Sequence, residues 1–208
     1  VRWIGDEYSN DADAFPPTVA IRAATPDPAL IPPGDYVFAC ERWQIRGLRS
    51  RNVLAYQAAR VLDSQELLDG GMSERLVVGA AASGGELPNA ARNMGDVSSS
   101  QGLLAICGER LQKRFERMYE EFTAENEAKC RQEEEAARRL AKRRIAAAQE
   151  RLRTLESQGK TRLLPMTRGQ IAKEERVLED RLDSIKRRRI VEPTVSEVAK
   201  GFIRVVGR

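Results

Sequence analysis

From residue 109 to residue 190 the apolar side chains recur at steps of three and four, and the chain then runs into an apolar strand, Gly201 to Val206. Leu111, Phe115, Met118 and Phe122 open the stripe. It resumes at Ala137, Leu140, Ala148, Leu152 and Leu155, and again at Ile171, Leu178, Leu182 and Ile185. So narrow a stripe suits one partner helix and leaves the other faces to charge. The stretch Gly159 to Thr167, which holds Pro165, breaks the pattern and permits reversal. Two helices are therefore predicted, one from Gly102 to Ser157 and a second capped by Thr167 and running to Ile190. At 1.5 Å per residue they measure about 80 Å and about 35 Å. Folded back antiparallel, the second covers only the distal half of the first. The proximal stripe, Leu111 to Phe122, then needs another partner, most naturally a small α/β body.

The first hundred residues supply such a body. Thr18 to Thr25 reads as a short strand, and Pro33-Gly34-Asp35 is a turn that launches a second, Tyr36 to Arg46. Gly47 to Arg51 is short enough to connect it to Asn52 to Leu62 as an antiparallel hairpin. Asp63 and Ser64 are candidate caps for a helix beginning at Glu66, which Gly70-Gly71 interrupts; Ser73 to Ala82 follows as a second helical stretch. Pro88 to Gln101 reads as a polar loop, and Ser196 to Lys200 as a helical turn before the last strand. The expected fold class is α+β: a small mixed α/β head (1–101), a long, coiled-coil-like helical hairpin stalk (102–190) and a C-terminal strand returning to the head (191–208).

Composition removes several chemistries. The chain of 208 residues has no histidine, so Ser-His-Asp and Cys-His catalysis and His-ligated zinc lack a required residue. Cys40, Cys107 and Cys130 share no short spacing, and an odd count argues against a disulfide framework and for a reducing, cytoplasmic setting. No apolar run is long enough to span a bilayer. The chain begins Val1-Arg2-Trp3 and reads as a piece of something larger. No cofactor or metal is expected. Gly79 to Gly85 lacks the lysine and hydroxyl residue that a phosphate loop requires.

The net charge of +4 is mild, and its distribution says more. From Arg138 to Arg153 there are seven basic residues and one acid: Arg138, Arg139, Lys142, Arg143, Arg144, Arg151 and Arg153 against Glu150. Positions 139, 142 and 143 share one side of a helix, a ribbon able to track phosphates. A solvated face, with some bases paired to Glu174, Glu175 and Glu179 across the hairpin, explains the same residues. Lys186-Arg187-Arg188-Arg189 is the densest cluster; it lies at a helix C-terminus, where cations are favoured, and opposite Glu133 to Glu135. Asn126 and Cys130 interrupt the seam and suggest either a hinged stretch or an exposed one. Trp43, alternating with Val37, Ala39 and Ile45, reads as core.

Tyr36 to Gly47 (YVFACERWQIRG), Asn52 to Leu62, Ser73 to Ala82, Arg114 to Asn126 (RFERMYEEFTAEN), the Arg-rich helix and Ala199 to Val206 (AKGFIRVV) follow one another in a recognisable order. That order resembles the C-terminal accessory region of bacterial Swi/Snf-type helicase-like ATPases, including those of phage defence. The resemblance spans most of the chain as a pattern. It implies a non-catalytic module whose partners are the upstream ATPase lobes and duplex DNA or a protein. No nucleotide-binding residue can be carried over, since those motifs are absent. The competing expectation is a coiled-coil interaction or scaffold element without nucleic-acid binding.

Overall fold

The computed structural model describes residues 18–25, 30–61, 66–87 and 97–207. Its elements are β1 (Thr18–Ala24), β2 (Gly34–Arg46), β3 (Ser50–Arg60), α1 (Gly70–Ser83), β4 (Gly85–Glu86), α2 (Val97–Ser157), a 3₁₀ turn (Thr161–Leu163), α3 (Leu164–Arg189) and β5 (Glu192–Val206). The fold is mixed α+β, with five strands in the order β3-β2-β5-β1-β4. β1 runs parallel to β5, from Thr18 opposite Lys200 to Ala24 opposite Val206, and antiparallel to β4. The chain divides into two compact units. Unit 1 comprises 1–44, 51–118 and 193–208, and unit 2 comprises 45–50 and 119–192. The division falls inside α2, between Met118 and Tyr119.

Unit 1 is a sheet covered on both faces. Residues 36–40 of β2 and 55–59 of β3 are buried without interruption, and since strand side chains alternate, neither face meets solvent there. Tyr36, Phe38, Cys40 and Ala58 point to one face, where they join Ile203 and Val205 of β5 and Leu76, Val77 and Ala80 of α1 in a single apolar cluster. On the other face Trp43 meets Phe115 of α2 edge to face, with ring centroids 5.5 Å apart. Leu103, Cys107, Leu111 and Phe115 recur every four residues as the buried stripe of that part of α2. Each large side chain so buried contributes about 1.5–3 kcal/mol of transfer free energy. Arg114 donates from Nη1 to the Tyr56 carbonyl at 2.7 Å and lies 6.0 Å from the Trp43 ring. Arg204 of β5 forks onto Asp35 of β2 at 2.7 and 2.9 Å, joining neighbouring strands.

Several boundaries differ from expectation for identifiable reasons. Glu66 to Asp69 is not helical: Leu67 bridges Ala59 instead, and Leu68 N–H donates to the Ala58 carbonyl. Gly70-Gly71 begins α1 rather than interrupting a helix, because Asp69 accepts from Met72 N at 2.8 Å as the N-cap. The expected caps Asp63 and Ser64 lie outside the described residues, as do Trp3 and positions 88–96 of the expected loop. Residues 97–101 of that loop are helical, so α2 starts five positions before Gly102. Ser196 to Lys200 is strand, not helix, because Thr194, Val195 and Val198 favour extended backbone and β1 supplies the pairing from Lys200 onward. Pro165 starts α3 rather than preceding it, occupying the first turn where a missing N–H is tolerated. Thr167 consequently falls inside α3, buried, its hydroxyl donating to the Leu163 carbonyl at 3.2 Å.

Candidate nucleic-acid interface

Within unit 2, burial on α2 recurs at Asn126, Cys130, Glu134, Ala137, Ala141, Ile145, Ala148, Leu152 and Leu155. On α3 it recurs at Leu164, Thr167, Ile171, Glu174, Leu178, Leu182, Ile185 and Arg189. The first set takes eight steps to cover 29 residues, the period of a straight α-helix rather than of a strict heptad. Leu140, expected in the stripe, is 40% exposed, since it lies a quarter turn from the line through Ala137 and Ala141. Small residues at 137, 141 and 148 suit a close approach by the facing helix. Ion pairs between the helices run in reverse sequence order: Arg168–Glu156 at 3.4 Å, Arg144–Glu174 at 3.3 Å and Arg189–Glu134 at 2.8 Å. Gly159, at φ +65°, makes the turn between them.

The helical period then fixes where the basic residues point. Arg139, Lys142 and Arg143 lie on the side of α2 turned away from the seam, and Arg138 and Arg144 flank it. All five are exposed. Arg139 pairs with Glu135 at 3.1 Å, Arg144 with Glu174, and Arg153 with Glu150 at 3.5 Å. Among the described residues no carboxylate lies within 4.0 Å of the cationic nitrogens of Arg138, Lys142, Arg143 or Arg151. Exposed pairs of this kind are worth about 0.2–1 kcal/mol, so even the paired arginines remain available to a stronger anion.

The second basic cluster is divided. Lys186, Arg187 and Arg188 are exposed at the end of α3. Arg189 turns inward and bridges two acids of α2, with Nε 3.3 Å from Glu127 and Nη2 2.8 Å from Glu134. The hydrogen bond to Glu134 holds its guanidinium above the ordinary arginine value. The structural explanation of the cluster therefore accounts for Arg189 and leaves its three neighbours facing water.

Asn126, read from sequence as a weak point, is 3% exposed and bonded at every polar atom. Its Oδ1 accepts from Leu48 N at 2.8 Å, at the tip of the β2–β3 hairpin. Its Nδ2 donates to the carbonyls of Arg188 and Arg189 at 3.1 and 3.2 Å. Those carbonyls belong to the last turn of α3, which has no intrahelical donors for them. Gly47 leaves room for the contact: a Cβ there would stand 2.6 Å from Asn126 Oδ1. Asn126 is thus a bolt joining three segments. The sequence marks Asn126 as a polar break in the seam but not its role, because its partners lie 62, 63 and 78 positions away.

The cysteines are not poised as nucleophiles. Burial pushes Cys40 and Cys107 up to about 12, Cys40 with a further push from Glu41. Burial also raises Cys130, with Arg189 acting in the opposite sense. A reactive thiol needs the reverse. Among the described residues no group of three or more Cys, Asp or Glu side chains is placed to hold a metal ion, and no helix is long and apolar enough to cross a membrane. Of the stretch Gly79 to Gly85, Gly79 to Ser83 form the last turn of α1. No protein-family model, curated protein or solved structure matches the chain.

Proposed function

We propose that this chain is a non-catalytic accessory domain of a DNA-translocating, helicase-like ATPase of the Swi/Snf type, which places the motor on duplex DNA. In this reading α2 and α3 form a coiled-coil-like antiparallel hairpin whose outer face is a basic ridge. The observation that carries it is the set Arg138, Lys142, Arg143 and Arg151: exposed, and without a carboxylate partner among the described residues. Structural ion pairing does not explain these four. Long cationic side chains on a rod neutralise phosphates without reading base edges, so binding would be sequence-independent. Lys186, Arg187 and Arg188 extend the available charge. The upstream ATPase lobes are the implied protein partner.

The test is duplex binding across a salt series, wild type beside Arg139→Ala/Lys142→Ala/Arg143→Ala. Each phosphate contact contributes a slope of about −0.9 in log K against log salt, so the triple variant should flatten the slope by about 2–3 and bind more than tenfold more weakly. A second reading, a scaffold without nucleic-acid binding, is favoured by the engagement of Arg139, Arg144, Arg153 and Arg189 in local ion pairs. Absence of duplex binding at low salt by a folded chain, whatever its mass in solution, would decide for it.

A further inference from the structure

We propose that the turn joining α2 to α3 is an apolar wedge that enters duplex DNA, with Leu163 and Met166 against the base steps and Lys160 and Arg162 on the flanking phosphates. The inference rests on the DNA-binding reading and gives it a mode of contact. Leu163 and Met166 are 39% and 59% exposed and sit three residues apart where α3 begins. Single exposed apolar residues need no explanation, but the setting of this pair is unusual. From residue 157 to residue 173 there are four basic residues and no acid. The basic ridge of α2 lies just upstream, with Glu150 and Glu156 as its acids between residues 138 and 157. Ile190, more exposed still at 68%, shares a groove with Asp180, Asp183, Lys186 and Arg187, a setting of mixed sign.

The turn is also built to hold its shape. Lys160 N–H donates to the Leu155 carbonyl at 3.0 Å and Leu163 N–H to the Lys160 carbonyl at 3.2 Å. Thr167 ties back to Leu163, and Pro165 fixes the first turn of α3. Of the basic side chains, Arg168 is committed to Glu156, whereas Lys160 and Arg162 have no carboxylate partner among the described residues. An exposed apolar pair beside two cations, on a turn held by its own hydrogen bonds, suits insertion into a groove. A partner helix would instead require a concave surface to receive it. Leu, Met and Pro are among the side chains that unstack base steps when driven into the minor groove, and the energy comes from contacts the bent duplex then makes.

The two parts of the surface make different demands on salt, and that separates them. With the full 208-residue chain, a duplex carrying a central 2-aminopurine reports unstacking while its salt series reports phosphate contacts. Leu163→Ser/Met166→Ser, both at exposed positions, should weaken binding about tenfold, leave the salt slope unchanged and abolish the fluorescence rise. The ridge variant Arg139→Ala/Lys142→Ala/Arg143→Ala should flatten the slope yet keep the rise at saturating protein. Wild-type binding with no fluorescence rise, or a wedge variant that binds and unstacks like wild type, overturns the wedge and leaves the DNA-binding reading standing. Absence of any duplex binding at low salt overturns both. Sedimentation with anionic phosphatidylserine vesicles in place of duplex, lost in the wedge variant, would reassign the turn to a lipid surface.

Discussion

The two units are held by different means. Unit 1 buries Trp43, Tyr36, Phe38, Phe202, Leu76, Ile203 and Leu111 on two faces of one sheet. Unit 2 has a seam one residue wide in which Ala137, Ala141 and Ala148 are the fully buried members of its middle third. It supplements that seam with Asn126 and with ion pairs between the helices. Apolar burial dominates the first, and polar contacts carry a larger share of the second. Unit 1 should therefore respond to cavities and to alkali, and unit 2 to salt and to loss of single hydrogen bonds.

The sharpest way to break the contrast is a cavity in the sheet core. Leu76→Ala, at a fully buried site under the sheet, should cost about 3–4 kcal/mol. Denaturant titration followed by tryptophan fluorescence in a Trp3→Phe background, which isolates Trp43, should show the whole loss; an equal shift of the helical circular dichroism would mean the units melt as one. Alkali comes next. Cys40 and Cys107 keep their protons in the folded state to about 12, whereas an unfolded thiol ionises near 9. Above pH 9 the unfolded state has lost protons that the folded state keeps, so stability falls as pH rises. It falls by about 1.4 kcal/mol per pH unit for each thiol, up to pH 12. Urea midpoints at pH 8, 9 and 10 should reveal the decline, and Cys107→Ala should make it shallower.

In unit 2 the effects are smaller. Asn126→Ala leaves the Leu48 N–H and two helix-end carbonyls without their partner, at a cost of about 2 kcal/mol, most of it in helical signal. Gly47→Ala should give a related loss by displacing the same side chain, and hydrogen exchange at Leu48 would register both. Smallest is the Arg144–Glu174 pair, about 0.5 kcal/mol in a double-mutant cycle at low salt and less at high salt. A coupling that survives molar salt would mean the pair contributes more than an exposed bridge can.

Periodicity made much of this architecture legible. β1, β2, β3 and the long helix follow from alternation and from three-and-four spacing, and Trp43 was readable as core from its neighbours alone. Where the reading failed, a local signal outweighed a tertiary one. Gly70-Gly71 looks like a break until Asp69 is seen to cap it, and Pro165 looks like a terminator until it stands at a helix start. Ser196 to Lys200 has no strand signal as clear as the pairing that claims it. The basic ridge was visible as composition, and helix geometry added which of its members face outward. The seam itself was misplaced by one residue at Leu140, since leucine and alanine compete on size and the register of the partner decides. Exposure of Leu163 and Met166 at the turn has no sequence signal, because both residues also fit the apolar side of a helix start.

The strand order also governs how such a chain is made. β5 lies at the centre of the sheet, between β2 and β1, yet it is synthesised last of the five. At about 5–20 residues per second, about ten to forty seconds separate the emergence of β1 from that of its central neighbour. Throughout that interval β1 and the β2–β3 hairpin present apolar edges with nothing to pair against, while the helices coded between them need only local contacts to form. Long exposure of unpaired strands is the condition under which nascent chains recruit chaperones or aggregate, so slowing translation between residues 60 and 190 would be expected to lower the yield of folded unit 1 and leave α3 and residues 119–157 of α2 untouched.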